Sequence, residues 1–173
     1  MNNNEGNPYK NTNFRDILQG WHKKAKRQKQ DPFASFVFEY LAFIFYLRKI
    51  KYTKVKSDKD AILEFKKDTT ISQDYLNLIK KDVKLKKTWK KLIKILKEQP
   101  LRNETRENME SLKINSEEDW EHMVDFWNFI RNNLFHGEKD PKGERDIILV
   151  SYAYETLSPL IGRIILKKIF DEK

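Results

Sequence analysis

The residues with the most suggestive chemistry lie together in the segment FIRNNLFHG, residues 129–137. Arg131 supplies a guanidinium, His136 supplies an imidazole that can accept or donate a proton, and Asn132 places an amide between them. An imidazole that moves a proton, beside a guanidinium that stabilises negative charge, suits phosphodiester chemistry. RNA needs no added nucleophile for this reaction, because its own 2′-OH attacks the adjacent phosphorus. His136 would move the proton and Arg131 would stabilise the charge on phosphorus.

Arg131 occupies an unusual position for a charged residue. If this region is a helix with about 100° per residue, Arg131 falls in the middle of the apolar stripe that contains Trp127. Burying a guanidinium without a partner is costly in free energy. Arg131 therefore either pairs with a carboxylate, for which Glu39 and Asp146 are the candidates, or faces a cleft that receives an anion.

His136 follows Arg131 by five residues, which is about 140° round an ideal helix, so the two side chains diverge if the helix continues. Gly137 offers an exit, because glycine adopts the left-handed conformation that ends many helices. A helix that unwinds there lets His136 fold back toward Arg131. The alternative is a structural histidine that bonds the exposed carbonyl groups at the helix end.

Helices are the elements expected to position this segment. The chain of 173 residues has only five Gly and five Pro, its apolar residues recur at helical spacing, and no β-hairpin signal is present. The predicted fold class is all-α, a compact bundle of four to six helices. The predicted helices cover residues 14–28, 31–51, 57–67, 72–97 with a break near 86, a helix from 116 that ends near 137, and 144–170, with a polar connection at 99–115.

The helix predicted at 31–51 is apolar on nearly every side, which places it in the centre of a core or in a subunit interface. Its apolar stretch, residues 33–47, is shorter than the ~20 residues that span a bilayer. The first residues, MNNNEG, lack the basic and apolar regions of a signal peptide. We therefore expect a cytoplasmic protein that does not enter a membrane.

Composition excludes several kinds of site. The chain has no Cys and only three His, which excludes disulfides, Cys-ligated zinc, iron–sulfur clusters and thiol catalysis. We predict no metal and no cofactor.

The positive charge is concentrated in the first part of the chain. Residues 1–97 hold 24 Lys and Arg against 10 Asp and Glu, whereas residues 98–173 hold 11 against 16. Such a surface attracts polyanions, nucleic acid first and an acidic membrane second, although lysine also serves simply to keep a protein soluble. Trp89 lies in the densest basic run, as a core residue or as a platform for a base. The residues predicted to contact nucleic acid are Lys84, Lys87, Lys90, Lys91 and Asn133.

The sequence Arg131-Asn132-x-x-x-His136 resembles the R-N-x-x-x-H motif of HEPN-domain proteins. The resemblance extends over residues 31–50, where Asp-Pro-Phe leads into an aromatic-rich helix, and over residues 116–165. It implies one α-helical domain over residues 1–173 with core helices at about 31–50 and 116–170. The basic helical insert at about 52–100 has no counterpart in the resemblance.

The resemblance also implies a function. Many HEPN-domain proteins are dimeric, metal-independent ribonucleases of prokaryotic toxin–antitoxin, abortive-infection and CRISPR-associated systems. Carried over, it makes Arg131 and His136 catalytic and Asn132 their helper in an endoribonuclease that acts on RNA as a homodimer. It also allows an antitoxin partner of the nucleotidyltransferase-like kind. The alternative is a non-catalytic HEPN-like module that binds RNA or a nucleotide, or that serves interaction alone.

Overall fold

A computed structural model describes residues 12–102 and 111–171 of the chain. Two segments, Tyr46–Lys51 and Leu160–Ile165, are π-helical. The prediction of a compact all-α bundle is confirmed. In chain order the elements are α1 (Thr12–Arg27), α2 (Pro32–Phe45), α3 (Asp58–Lys66), α4 (Thr69–Lys81), α5 (Val83–Glu98), β1 (Leu101–Arg102), β2 (Ser111–Leu112), α6 (Trp120–Phe135), α7 (Glu144–Pro159) and α8 (Leu166–Asp171).

Local capping explains where several helices begin. Asp31 accepts a hydrogen bond from the Ala34 N–H at 3.0 Å at the start of α2, and Ser57 accepts one from the Asp60 N–H at 3.1 Å at the start of α3. The predicted break near residue 86 is wrong, because α4 gives way to α5 at Asp82. Its carboxylate accepts from the Leu85 N–H at 2.9 Å, a favourable N-cap for the new helix.

Two predictions about the region before α6 are wrong. The helix begins at Trp120 and not at residue 116, because the Ser116 hydroxyl accepts from the Glu118 N–H at 3.2 Å and closes a local turn instead. The connection also contains a β-pair, in which Leu101 lies opposite Leu112 in antiparallel register. Strands of two residues are too short to show an alternating pattern in sequence. Residues 103–110 of the predicted connection lie outside the described residues.

The basic segment at 52–100 belongs to the same core as the rest of the chain. Phe65, Tyr75 and Trp89 are fully buried. The rings of Tyr75 and Trp89 both pack against Trp127 of α6, with centroids 5.8 and 6.1 Å away. Trp89 is therefore a core residue and not a stacking platform for a base.

A buried hydrogen-bond network fixes α6 in place. Trp127 Nε1 donates to Thr156 Oγ1 at 2.9 Å, and the Tyr75 hydroxyl donates to the Thr156 carbonyl at 2.6 Å. Trp89 Nε1 in turn donates to the Tyr75 hydroxyl at 3.0 Å. Since α4, α5 and α6 are all tied to one residue of α7, the helix that carries Arg131 has a defined position.

A buried polar pair joins α1 to α2. His22 Nδ1 lies 2.6 Å from Glu39 Oε1, and both side chains are buried. Burial raises the pKa of Glu39, although His22 opposes that shift. Gly162 packs against the imidazole from the π-helical segment after α7.

In the parts of the chain that the structure describes, no helix combines the length and apolarity needed to cross a bilayer.

Candidate functional site

Arg131 lines a cavity of about 210 Å³ that lies between α2, α3 and α6 and is open to solvent. Four residues of α6 line it, because positions 125, 128, 131 and 132 lie on one face of the helix. Tyr40 of α2 and Lys59 of α3 also line it. The cavity is smaller than the ~300 Å³ at which pockets begin to enclose drug-sized ligands. It therefore fits a small group on a longer molecule.

Arg131 has no carboxylate partner among the residues that the structure describes. Its Nη1 donates to Asn132 Oδ1 at 3.0 Å, and its guanidinium carbon lies 5.0 Å from the centroid of the Phe135 ring. Neither predicted partner pairs with it: Glu39 contacts His22, and Asp146 accepts from Lys139 Nζ at 2.7 Å. Of the two sequence-based possibilities, the structure therefore favours the cleft over the ion pair.

The acids in the cavity wall are already paired with other cations. Asp125 contacts Lys66 Nζ at 2.8 Å, and Asp58 contacts Arg48 Nη1 at 2.6 Å. Lys59 is exposed and forms no ion pair with any described residue. The cavity therefore presents uncompensated positive charge, which favours an anion.

Tyr40 forms the inner wall and remains a hydrogen-bond donor. Its hydroxyl donates to Asn128 Oδ1 at 3.2 Å. Burial raises the pKa of Tyr40, and the nearby charge of Arg131 opposes that shift only in part. The hydroxyl is thus protonated at neutral pH. The sequence analysis did not identify Tyr40 or Asn128 as site residues. The spacing of three residues between Asn128 and Arg131, which places both on one face of a helix, could have identified Asn128.

The sequence predicts that this helix ends near Gly137, and α6 ends at Phe135 with His136 as its C-cap. The Gly137 N–H donates to the Leu134 carbonyl at 3.3 Å, and the Glu138 N–H donates to the Asn133 carbonyl at 2.9 Å, which together form a Schellman motif. Gly137 has φ of +76°, the left-handed conformation that this motif requires.

The His136 side chain is exposed and does not line the cavity. It makes no hydrogen bond with the described residues, so the alternative role of bonding carbonyl groups with the imidazole is not observed. Within one chain the structure brings Arg131 and Asn132 together but does not place His136 beside them.

Asn133 was predicted to contact nucleic acid, and this prediction is wrong. Its side chain is fully buried, and its Nδ2 donates to the Arg102 carbonyl at 2.8 Å. Neighbouring helical residues point about 100° apart, so Asn133 faces the β-pair while Asn132 faces the cavity. Asn133 therefore holds β1 against α6.

The four lysines predicted to bind nucleic acid are all exposed on α5. Lys90 lies 3.8 Å from the Glu117 carboxylate, whereas the other three form no ion pair with the described residues. Lys94, which the prediction omitted, continues their spacing of three and four residues along one side of the helix. We call this group the α5 lysine row; it consists of Lys84, Lys87, Lys91 and Lys94.

No three His, Asp or Glu side chains among residues 12–102 and 111–171 are grouped so that they could hold a metal ion. Comparison of the chain with protein-family models, curated proteins and solved structures finds no match.

Proposed function

We propose that this chain is a metal-independent endoribonuclease of the HEPN type. One observation carries the proposal: the guanidinium of Arg131 faces an open cavity and is held by an amide and an aromatic ring, while the acids nearby are paired elsewhere. Its full charge is therefore available to a phosphate. Charge-assisted hydrogen bonds from Arg to phosphate are among the strongest in proteins.

In the proposed reaction the RNA 2′-oxygen forms a bond to the adjacent phosphorus while the bond from phosphorus to the 5′-oxygen breaks. A proton passes overall from the 2′-OH to the departing 5′-oxygen. His136 exchanges this proton as general base or acid. Arg131 stabilises the charge on the phosphorane, and Asn132 positions the phosphate. The products carry a 2′,3′-cyclic phosphate and a 5′-OH.

A homodimer forms part of this proposal. Phe135, which lies between the motif residues in sequence, exposes 55% of its surface, and contact with another chain would remove that apolar area from water. A second copy packed on this end of α6 would cover Phe135 and bring another His136 toward the cavity. RNA is the proposed substrate, and a nucleotidyltransferase-like antitoxin is a proposed regulator that follows from the resemblance alone.

A non-catalytic RNA-binding module is the second candidate function. The observation that favours it is the α5 lysine row, whose four lysines form no ion pair with the described residues and could contact a phosphate backbone without any need for His136. This candidate predicts RNA binding that weakens steeply with salt and survives His136→Ala.

The nature of the RNA ends separates the two candidates. Purified protein is incubated with an RNA oligonucleotide and with the same sequence carrying 2′-deoxyribose throughout, both in excess EDTA. The ribonuclease proposal expects cleavage of the RNA alone, with 2′,3′-cyclic phosphate ends. Cleavage of the deoxyribose strand, 3′-OH ends, or cleavage that EDTA abolishes would contradict it.

A further inference from the structure

The cavity beside Arg131 contains two side-chain amides whose oxygens are already engaged. Arg131 has only N–H donors, so Asn132 Oδ1 is the acceptor of their hydrogen bond. On the other side of Arg131, Asn128 Oδ1 accepts from the Tyr40 hydroxyl. Each amide therefore has its NH₂ group left over, and neither NH₂ group bonds to a described residue.

Asn128, Arg131 and Asn132 thus direct N–H donors at the cavity, while each amide oxygen already accepts a hydrogen bond. An anion with several oxygens satisfies such a set, whereas a cation or a hydrogen-bond donor does not. Two carboxylates also line the cavity, but their negative charges are offset, because Asp58 is paired with Arg48 and Asp125 is paired with Lys66. A phosphate group has the charge, the acceptors and the size that this small cavity accommodates.

We propose that Asn128 is a phosphate-contacting residue of this site and that Tyr40 is the positioning residue that orients its amide. The identification of the anion as an RNA phosphate rests on the function proposed above. Asn128 and Arg131 contact the phosphate from one face of α6. Tyr40 acts only through Asn128, because the Tyr40 hydroxyl already donates its proton to the Asn128 amide oxygen.

The test measures binding of a fluorescein-labelled 2′-O-methyl oligonucleotide, which presents phosphates but cannot be cleaved through a 2′-OH. We expect Asn128→Ala to weaken binding about tenfold, since it removes one hydrogen bond to a charged group. Asn128→Asp keeps the shape but replaces the donor with a negative charge, so it should weaken binding more. Tyr40→Phe leaves the amide free to turn and should weaken binding about threefold.

A double-mutant cycle separates positioning from a general effect on structure. If Tyr40 acts through Asn128, Tyr40→Phe has no further effect on binding in the Asn128→Ala background. Tyr52→Phe is the matched control. It also removes a tyrosine hydroxyl, which donates to Asp68 Oδ2 at 3.1 Å, but Tyr52 does not line the cavity. This substitution should therefore leave the affinity for the oligonucleotide unchanged. Additive effects of the two substitutions would overturn the role of Tyr40.

The outcomes also separate this inference from the ribonuclease proposal. Binding that depends on Asn128 in a protein that does not cleave RNA supports the phosphate site and contradicts the ribonuclease. Cleavage of RNA by a protein whose oligonucleotide affinity is unchanged by Asn128→Ala, with the variant still folded, overturns the phosphate-contacting role alone. Failure of the parent protein to bind the oligonucleotide also overturns it.

Discussion

Substituting Gly162 by alanine tests how tightly the buried pair of α1 and α2 is packed. An added Cβ would lie 2.7 Å from His22 Nε2 and 3.0 Å from its Cε1. The imidazole would have to retreat by about 0.8 Å to reach an ordinary contact of ~3.5 Å. It has little room to do so, because its other nitrogen lies 2.6 Å from the buried Glu39 carboxylate.

Two opposing terms set the size of the effect. Overpacking a well-filled core costs about 1–3 kcal/mol. Replacing glycine by alanine within a helix returns about 1 kcal/mol. Gly20→Ala on α1 isolates the second term, since nothing lies within 4 Å of its added Cβ. We therefore expect Gly20→Ala to stabilise the protein and Gly162→Ala to be less stable than that control by about 1–3 kcal/mol.

Urea unfolding followed by tryptophan fluorescence at 25 °C gives the free energies of unfolding. Repeating the Gly162→Ala measurement in a His22→Ala background removes the atoms that clash, so the penalty should disappear there. Equal stabilisation by Gly162→Ala and Gly20→Ala would show that the His22 imidazole is not tightly packed against Gly162. The result bears on the site, because the residue after Glu39 on α2 is Tyr40, which forms the wall of the cavity.

Three further predictions concern charge and backbone. Burial raises the pKa of Glu39 above its ordinary 4.5, so its contribution to stability is complete below pH 4.5 and is lost as pH rises through the folded-state pKa. Urea unfolding should therefore show parent stability falling relative to Glu39→Gln above pH 4.5, and parallel pH profiles would contradict this. Gly137→Ala should cost about 1 kcal/mol of unfolding free energy through the positive φ alone, since nothing lies within 4 Å of the added Cβ; an unchanged midpoint in urea would count against the Schellman geometry. Replacing the four residues of the α5 lysine row by Gln should reduce the slope of log affinity for single-stranded RNA against log salt by up to about 2.8, and an unchanged slope would exclude the row from the interface.

Local signals in the sequence predicted most of the fold. Asp31 and Ser57 cap their helices through bonds to residues three positions away, which any sequence window contains. The end of α6 was predictable from Gly137 because its hydrogen bond is also local, to the carbonyl of Leu134 three positions earlier. The break at Asp82 was misplaced because aspartate is common on helix surfaces, and only its bond to the Leu85 N–H distinguishes a cap.

The site itself was only partly predictable, because its partners are distant in sequence. Glu39 is a reasonable ion-pair partner for Arg131 by sequence. In the structure its carboxylate instead contacts His22, which lies on another helix. Tyr40 reaches Asn128 across 88 positions, a contact that no local pattern indicates. Asn133 was misjudged because its type suits RNA binding, whereas its burial depends on the β-pair that the sequence did not reveal.

Arg131 and His136 are the residues that we propose perform phosphodiester cleavage. The most direct test incubates end-labelled RNA in EDTA with the parent protein, Arg131→Ala and His136→Ala, after circular dichroism has shown that all three are folded. We expect cleavage by the parent and a loss of at least about 100-fold in each variant, the range that general acid–base catalysis and electrostatic stabilisation each supply. Cleavage by His136→Ala at the parent rate, or no cleavage by a folded parent in monomeric or dimeric form, would contradict it.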